Sequence, residues 1–569
     1  MRRIHRAALS ALLAASAAFA VRAQTGPAPA EMLDRHARAL GGREAISRVR
    51  SVVSSGELVL LPGGMRGEVR SWSARPCRSR TEARLGIFTV RQGFDGERSW
   101  MVGPNGMLQI MRDEDSRRSQ VTACLLESFA YLEPGGPFEV EDLGEAIDDS
   151  ARCAVIGLSP DGGYPCRIFL DRLTWLVRKI EIDAFAGTVE QRFDDYRETA
   201  GVLFPRSIAT TQGSIGQTMA VTVLELEVNA GIDPAIFLPP GEAADDFRFT
   251  GRGGDPAGSA AADAAENIPF DYRGGHIYLK VEVAGREVPF LLDSGAGMTM
   301  IDPAIADTLA LTRDGAIPGA GAGGMTEFEM TRLPGFAIEG IEFDTQTVAV
   351  FPVSGLTGRF SGIAAGGILG YDFLSRFLTR IDYRRRMISF YRPGSGRPPD
   401  GAGSLQAPLV HRIFSLPASV DGVEGIFLID TGANASILQK RFADEHRLLE
   451  GRPSIELAVA GAGGDDLAVA ARLDSLRFGG IMLRGPVFTI PQGGRGIGAF
   501  EGIAGIIGND ILERFDVWLD YAGQRIVVEG GGSPERPFWP DRSGMLLAAG
   551  PGGAVGVAFV VPGAPAAEA

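Results

Sequence analysis

The chain has 569 residues, 77 of them glycine, and its 70 acidic residues against 56 basic ones give a formal charge of −14. At roughly 150 residues per domain, this length predicts three or four domains. The acidic balance argues against nucleic acid as a partner, because phosphates require basic surfaces.

The N-terminus is typical of an export signal. Arg2, Arg3 and Arg6 form a basic segment, and residues 7–21 are apolar, small and too few to span a bilayer. We expect cleavage after Ala23, where no cysteine follows to carry a lipid anchor. No later stretch is long and apolar enough to predict a transmembrane segment. The mature protein is therefore expected to be periplasmic or secreted.

All four cysteines, Cys77, Cys124, Cys153 and Cys166, lie in the first third of the chain. In an exported protein an even number favours disulfides, and four cysteines allow three pairings. Cys153 and Cys166 flank the turn sequence Ser-Pro-Asp-Gly-Gly at 159–163, so we predict that they face each other across a hairpin. No histidine lies beside them at metal-ligand spacing, so no zinc site is expected.

Residues 24–240 are predicted to form an antiparallel sheet domain. Helical spacing over 30–49, interrupted by Gly41 and Gly42, predicts two short helices. Strand-like segments follow in succession, separated by turns that contain glycine or proline. Short connections between consecutive strands require antiparallel neighbours, because parallel strands need long crossovers.

Three motifs in this region carry a resemblance: Ala-Leu-Gly-Gly at 39–42, Gly-Phe-Asp-Gly at 93–96 and Phe-Asp-Asp-Tyr at 193–196. With them the region resembles periplasmic lipoprotein carriers of the LolA kind. The resemblance implies a curved sheet around helices, holding the acyl chains of a lipid or lipoprotein. An ordinary sheet domain with a filled core is the alternative. Residues 241–266, rich in alanine, glycine and aspartate, are predicted to be a linker.

Beyond the linker, the chain repeats itself. Val-Pro-Phe-Leu-Leu-Asp-Ser-Gly-Ala at 288–296 returns as Gly-Ile-Phe-Leu-Ile-Asp-Thr-Gly-Ala at 425–433. Each copy continues through a glycine-rich segment to two apolar residues and a glycine, at 368–370 and 506–508. A carboxylate at the end of a buried strand is costly unless it has a partner. The repeat offers a partner, because Asp293 in one copy can meet Asp430 in the other.

At these motifs the sequence resembles the aspartic peptidases, and specifically the retropepsin-like group. The resemblance implies a mainly β fold with two lobes on one chain, at 267–395 and 396–530, and a catalytic dyad of Asp293 and Asp430. Two neighbouring carboxylates share one proton and activate a water molecule, with no metal or cofactor. The sequence therefore predicts an exported aspartic endopeptidase that acts on a peptide or protein substrate.

The resemblance also assigns supporting roles. Residues of the two aspartate loops are expected to support the dyad: Ser294, Gly295, Thr299, Thr431, Gly432 and Ser436. Ser294 and Thr431 are expected to hydrogen-bond across it, and Thr299 and Ser436 to bind the outer carboxylate oxygens. The apolar-apolar-glycine segments are expected to cross the aspartate loops in a psi-shaped arrangement through Leu369, Gly370, Ile507 and Gly508.

The glycine-rich segments are predicted to be flap tips over the cleft, with plain hairpin turns as the alternative: Gly321, Gly323, Gly324, Gly461, Gly463 and Gly464. Asp372 and Asp510 follow the later motifs and are predicted to cap helices. Residues 531–569 read as a linker and an incomplete segment that resembles the start of a bacterial PDZ domain.

The alternative function belongs to a different class. It is a periplasmic protein that binds lipid, lipoprotein or peptide, with catalytically inactive peptidase-like lobes.

Overall fold

The computed structural model describes most of the chain between residues 28 and 568. The described residues are 28–112, 114–184, 187–213, 216–241, 245–250, 263–321, 324–399, 403–461, 464–493, 502–529, 535–538, 545–549, 554–560 and 565–568. They form a mainly β protein, with a long antiparallel N-terminal sheet followed by further sheets and short helices. The predicted signal segment, residues 1–23, lies outside the described residues.

The N-terminal domain contains one sheet of 13 strands. These are β1 Ser51–Leu61, β2 Met65–Ala74, β3 Arg78–Leu85, β4 Phe88–Phe94, β5 Ser99–Val102, β6 Leu108–Met111, β7 Phe138–Asp148, β8 Ala151–Pro160, β9 Cys166–Asp171, β10 Val177–Ala184, β11 Gly187–Thr199, β12 Val202–Gln212 and β13 Gln217–Val228. All neighbouring strands are antiparallel. Neighbours are also consecutive in the chain, except that β1 lies beside β13. The predicted antiparallel meander is confirmed.

Helices pack on one face of this sheet. They are α1 Pro29–Ala39, α2 Arg43–Arg48 and α3 Glu114–Glu127, with 3-10 helices at Ala130–Leu132 and Pro234–Phe237. Met32 and Leu33 of α1 pack in one cluster with Ile156 and Leu170 of the sheet. Gly41 joins α1 to α2 at a φ of +123°, and a Cβ there would lie 2.0 Å from the Gly201 carbonyl oxygen, so this turn requires glycine.

The predicted Cys153–Cys166 disulfide is wrong. The two cysteines lie on the neighbouring strands β8 and β9, but Cys153 faces Asp171 whereas Cys166 faces Leu158. That offset of several residues, at about 3.4 Å per residue, exceeds the reach of a disulfide. The bonded pair is Cys77 with Cys124, whose Cα atoms lie 5.3 Å apart and which ties the start of β3 to α3.

Lobe 1 contains β14 Phe247–Phe249, β15 Ala264–Pro269, β16 Asp271–Arg273, β17 His276–Val283, β18 Arg286–Leu292, β19 Met300–Ile301, β20 Arg313–Gly321, β21 Gly324–Leu333, β22 Phe336–Ile338, β23 Ile341–Phe343, β24 Gln346–Val350, β25 Gly367–Leu369, β26 Leu378–Asp382 and β27 Met387–Tyr391. Its helices are α4 Pro303–Thr308, α5 Val353–Ser361 and α6 Tyr371–Leu374. β14 pairs with β23, which corrects the predicted linker over 241–266. Phe247 is buried in the core of the lobes, so part of that segment belongs to lobe 1.

Lobe 2 repeats this arrangement. It contains β28 Gly403–Gln406, β29 Leu409–Val410, β30 Ile413–Val420, β31 Val423–Ile429, β32 Ile437–Leu438, β33 Ser454–Gly461, β34 Gly464–Arg472, β35 Ser475–Phe478, β36 Ile481–Arg484, β37 Val487–Pro491, β38 Gly505–Ile507, β39 Asp516–Asp520 and β40 Arg525–Glu529, with α7 Lys440–Glu445 and α8 Asn509–Leu512. In both lobes the strand before the aspartate pairs in parallel with the apolar strand before the later glycine: β18 with β25, and β31 with β38.

A six-stranded sheet joins the two lobes, in the order β15-β27-β26-β39-β40-β28. Its central contact is the antiparallel pair of β26 with β39, one strand from each lobe. One continuous hydrophobic core includes residues of both lobes. The sheet and the shared core fix the two aspartate loops relative to each other.

The N-terminal sheet also packs on lobe 1. On β1, Val52 packs against the helices, whereas Leu58 and Leu60 pack against lobe 1 residues such as Met330. These β1 residues are an even number of positions apart, so they lie on the same face of the sheet. Lobe 1 therefore covers part of the face that the helices leave open.

The C-terminal part forms a hairpin of β41 Met545–Ala549 and β42 Val555–Val560, followed by α9 Pro565–Glu568. Before it, Phe538 packs into the core of the lobes, and its carbonyl oxygen accepts a hydrogen bond of 2.8 Å from Arg472. No helix within the described residues is both long and apolar enough to cross a bilayer.

Candidate active site

Each predicted catalytic aspartate follows a buried strand and is held by the psi-shaped crossing. The Asp293 N–H donates to the Leu369 carbonyl oxygen at 3.0 Å, and the Asp430 N–H donates to that of Ile507 at 3.1 Å. The preceding residues, Leu292 and Ile429, are almost fully buried, whereas both aspartates are partly exposed. The strands therefore bring two carboxyl groups out of the core at one surface.

The two aspartate loops fit against each other through their glycines. A Cβ built on Gly432 would lie 2.2 Å from the carboxyl carbon of Asp293, and one built on Gly295 would lie 2.6 Å from that of Asp430. Any side chain at either position would displace the opposite carboxyl group. The structure therefore brings Asp293 and Asp430 together in one site.

Backbone donors hold each carboxyl group in place. Asp293 Oδ1 accepts hydrogen bonds from the N–H groups of Gly295 at 2.8 Å and Ala296 at 3.0 Å. Asp430 Oδ1 accepts one from the Gly432 N–H at 2.7 Å. The side chains of both aspartates are thus fixed by the turns that follow them.

Ser294 and Thr431 bind each other's loop reciprocally. The Ser294 N–H donates to Thr431 Oγ1 and the Thr431 N–H donates to Ser294 Oγ, both at 3.0 Å. The Ser294 hydroxyl donates to the Ile429 carbonyl oxygen and the Thr431 hydroxyl to that of Leu292, both at 3.1 Å. These four buried hydrogen bonds lock the two loops together, since each of these groups would be costly to leave unpaired.

Burial and proximity change the acidity of both aspartates. Loss of hydration raises the pKa of Asp293 well above its usual range, and the neighbouring charge of Asp430 raises it further. Loss of hydration also raises the pKa of Asp430, although hydrogen bonds from Gly432 and from Asp293 partly oppose this. Two such groups in contact keep one proton between them over a pH range in which isolated carboxyl groups have lost theirs.

The predicted partners of Thr299 and Ser436 are corrected. Thr299 donates through both its N–H and its hydroxyl to Asp372 Oδ1, at 2.6 and 2.7 Å, and Ser436 donates to Asp510 Oδ1 at 2.7 Å. They therefore bind a second pair of aspartates rather than the dyad. This pairing satisfies carboxyl groups that the helical turns place beside the aspartate loops.

Asp372 and Asp510 are not helix caps. They lie in the first turns of α6 and α8, whose N-cap positions are occupied by Gly370 and Gly508. Burial raises the pKa of Asp372, and it raises that of Asp510 to about 6.

One contact to this second pair comes from the N-terminal domain, and the sequence analysis missed it. Asn105, in the loop after β5, donates through Nδ2 to Asp372 Oδ2 at 3.2 Å and to the Thr347 carbonyl oxygen at 3.1 Å. Its Oδ1 accepts from the Thr347 N–H at 2.7 Å. The N-terminal domain is thereby linked through Asp372 and Thr299 to the Asp293 loop.

The predicted flap glycines lie at the ends of two hairpins. Gly321 pairs with Gly324 where β20 meets β21, and Gly461 pairs with Gly464 where β33 meets β34. Gly323 and Gly463 lie outside the described residues. The structure thus places both segments at hairpin turns, and their role as flaps stays a prediction.

A cavity of about 630 Å³ lies between the N-terminal sheet and both lobes. Gly297 and Met298 of the Asp293 loop line it, as do Tyr521 and Arg412 of lobe 2. Arg412 Nη1 donates to the Gly297 carbonyl oxygen at 3.3 Å. The described residues contain no group of three or more histidine, cysteine, aspartate or glutamate side chains that would suit a metal ion.

Comparison with known families agrees with the duplicated site. A model of the aspartyl protease family matches residues 279–373 and 416–511. Each segment contains one aspartate loop and the apolar strand that pairs with it. These two parts of the chain are therefore similar to aspartyl proteases. No curated protein matches the chain.

Several solved structures resemble part of the chain, each covering 37% of it. A DUF1329 family protein from Desulfovibrio piger is 13% identical with a TM-score of 0.28 and is covered over 97% of its length. An outer membrane lipoprotein-sorting protein domain from Vibrio parahaemolyticus is 11% identical, with a TM-score of 0.28 and 95% of its length covered. A LolA superfamily protein from Nitrosomonas europaea is 14% identical, with a TM-score of 0.28 and 97% of its length covered.

Proposed function

We propose that this protein is an aspartic endopeptidase that hydrolyses peptide bonds with a water molecule activated between Asp293 and Asp430. The observation that carries the proposal is the reciprocal fit of the two loops, in which each glycine lies against the carboxyl group of the other lobe. Four hydrogen bonds of Ser294 and Thr431 hold the loops in that fit. The match of both segments to aspartyl proteases supports the same function.

The mechanism follows from one proton shared by two acids. The ionised aspartate takes a proton from the water molecule as its oxygen attacks the carbonyl carbon, and the protonated aspartate donates to the carbonyl oxygen. The gem-diol intermediate then collapses when the leaving nitrogen is protonated and the carbon–nitrogen bond breaks. The raised pKa values of Asp293 and Asp430 suit this task, because one group must stay protonated while the other is ionised.

The N-terminal signal features support action outside the cytoplasm, in the periplasm or after secretion. In the same proposal, the lobes span 267–395 and 396–530, together with the strand β14 that joins lobe 1 from the preceding segment. The PDZ-like C-terminal segment is proposed only as a site that captures peptide C-termini in a longer chain.

The test compares the full chain with Asp293→Asn and Asp430→Asn on an unfolded protein substrate. Each variant should lose roughly 10²- to 10⁴-fold in kcat, because general acid–base catalysis contributes that much. Asp271→Asn, at an exposed position of lobe 1, is the matched control and should retain activity. Hydrolysis retained by either dyad variant would refute the mechanism.

A second candidate function is binding without cleavage, favoured by the cavity between the N-terminal sheet and the lobes. Under this alternative the cavity holds lipid or lipoprotein acyl chains, and the lobes are inactive. Extraction of the purified protein followed by lipid mass spectrometry discriminates the two. Stoichiometric acyl chains together with no hydrolysis by the wild-type protein would favour binding, and their absence would contradict it.

A further inference from the structure

The cavity beside the lobes is built by three parts of the chain. On the N-terminal side, alternate residues of two strands line it: Thr81, Ala83, Leu85, Phe88, Val90 and Gln92. Because alternate residues of a strand share a face, this wall is one continuous surface of the sheet. Its middle is apolar, and Leu85 and Phe88 pack against lobe 1 at its margin.

The opposite wall belongs to the proposed catalytic machinery. Gly297 and Met298 belong to the loop of Asp293, beyond Ala296. Ile317 belongs to the hairpin of β20 and β21, whose tip is predicted to act as a flap. The cavity therefore lies next to the position at which a substrate would meet Asp293. A ligand in it would touch both the N-terminal sheet and the lobes.

Tyr521 of lobe 2 is a buried part of the cavity wall. It lines the cavity, and its ring packs edge-on against Tyr371 with 5.4 Å between ring centroids. Its hydroxyl is buried with no hydrogen-bond partner among the described residues. Burial raises the pKa of this hydroxyl, and the neighbouring groups Tyr371, Asp293 and Asp430 raise it further.

Two arginines, Arg112 and Arg412, line the cavity, and Asp372 lines it as well. Arg412 donates to the Gly297 carbonyl oxygen and lies over the Tyr371 ring at 5.7 Å. Its charge favours the ionised form of Asp372, but no carboxylate in the described part of the chain forms an ion pair with it. A guanidinium group has five donors, so most of its hydrogen-bonding capacity is open to a ligand. An apolar wall with arginines beside it suits a ligand that is mostly apolar and carries an acidic group.

We propose that this cavity is the specificity site of the peptidase and binds a bulky apolar segment of the substrate, with an acidic group at Arg412. The inference rests on the proposed function, since it names the substrate class of the same site. It assigns the N-terminal domain a role in substrate selection, because the sheet supplies one wall. Substrates should therefore show apolar residues on one side of the cleaved bond, with little preference on the other.

Substitutions on one strand test the inference with a matched control. Val90→Trp would fill the cavity, whereas Thr89→Trp adds the same bulk on the opposite face of β4, outside the lining. Ala83→Leu is a second filling variant, smaller and on the neighbouring strand. Circular dichroism and thermal unfolding identify which of these proteins fold.

The measurement is a cleavage-site profile of the full chain on a complex peptide library, read by mass spectrometry. The wild-type protein should show apolar enrichment on one side of the cut, and the folded filling variants should lose it, with kcat/KM for the enriched peptides falling roughly 10- to 200-fold. In the same variants, cleavage of peptides with alanine at those positions should fall less than cleavage of the enriched peptides. Thr89→Trp should keep the wild-type profile.

A peptide pair that differs only by glutamate or glutamine tests the cation. The glutamate peptide should be favoured about tenfold, as expected for one hydrogen bond to a charged group. Equal rates for the pair, or an unchanged profile in both filling variants, would overturn the inference while leaving the peptidase function intact. A wild-type protein that cleaves nothing while retaining a bound acyl chain would instead overturn the proposed function, and the inference with it.

Discussion

The two lobes have the same arrangement at Asp293 and Asp430, but they differ at the residue that follows the later glycine of each copy. Asn509 follows Gly508 in lobe 2, where it accepts a hydrogen bond of 2.7 Å from Tyr383 and donates one of 2.6 Å to the Thr431 carbonyl oxygen. Tyr371 takes the same place in lobe 1 and has an aromatic contact with Tyr521 instead. One lobe is thus held by hydrogen bonds at a position where the other lines a cavity.

A second difference lies in the outer aspartates. Asp372 of lobe 1 accepts a hydrogen bond from Asn105 of the N-terminal domain, whereas Asp510 of lobe 2 is bound within its own lobe by Ser436. The lobes are therefore equal where two acids must meet, and unequal where each lobe meets a different neighbour.

The largest expected effect tests the two aspartate loops, where the lobes have the same arrangement. Gly432→Ala and Gly295→Ala should each lower kcat by at least roughly 10²-fold, because a misplacement of about 1 Å costs that much. The loss should be greater for Gly432→Ala, whose added Cβ would lie nearer to the opposite carboxyl carbon, at 2.2 Å against 2.6 Å. Steady-state hydrolysis measures both. Gly355→Ala in α5, where a Cβ meets nothing within 4 Å, is the control.

The outer aspartates should differ in the pH dependence of stability. Asp510 titrates near pH 6 when folded but near 3.9 when unfolded. Between these values the unfolded chain has released the proton and the folded chain has not, so stability falls as pH rises, by about 3 kcal/mol. Asp510→Asn should remove this slope in urea unfolding between pH 4 and pH 6.5.

Asp372→Asn should remove a shallower slope, because Arg376 and Arg412 favour the ionised form of Asp372. Equal slopes from the two sites would show that these cations and Asn105 do not distinguish the lobes.

Ser294→Ala and Thr431→Val should destabilise the protein equally. Each removes a hydroxyl and leaves one buried N–H and one buried carbonyl group unpaired, at a cost of about 1–3 kcal/mol. The double variant should cost less than the sum, since the two side chains share one network. Urea unfolding at constant pH measures all three, and a clear inequality between the single variants would break the symmetry claimed for the loops.

The smallest expected effect tests the contact between Asn105 and Asp372, which has no counterpart at Asp510. Asn105→Ala should lower kcat about fivefold, equivalent to about 1 kcal/mol for one hydrogen bond, because Asp372 and Thr299 lose their support from the N-terminal domain. The Asn105 amide group favours the ionised form of Asp372, so its loss should raise the pKa of Asp372. The acid limb of the pH profile of kcat should therefore move to higher pH.

Arg332→Ala is the control for Asn105. It removes another contact between lobe 1 and the N-terminal domain, a hydrogen bond of 2.8 Å to the Ile87 carbonyl oxygen, without touching the aspartate loop. The same change of pH profile in both variants would assign the effect to docking of the domains in general.

The sequence predicted what is repeated or periodic. Two copies of one motif were enough to place Asp293 and Asp430, and strand spacing was enough for the antiparallel N-terminal meander. The resemblance to aspartic peptidases implied that Ser294 and Thr431 bind across the dyad, and the structure shows these hydrogen bonds. The position after each later glycine offered a further signal, since comparing the two copies there shows Tyr371 against Asn509.

The incorrect or missing predictions have a common physical cause. Each depends on strand register or on a contact between distant residues, which no local sequence pattern encodes. The turn between Cys153 and Cys166 was read correctly, but the pairing of β8 with β9 leaves them out of register. Thr299 and Ser436 were assigned to the nearest acids in the sequence rather than those nearest in space. Asn105 lies more than 200 residues from its partner Thr347, beyond the reach of any motif.

The strand pair β26 and β39 has a consequence for the integrity of the molecule. These strands pair along five residues, between halves that are joined by a single covalent connection around residues 392–402. Proteolytic cleavage in that connection would leave two fragments that remain hydrogen-bonded through the shared sheet and packed in a common core. Such a clipped protein should elute as one species under native conditions, and separate only in denaturant.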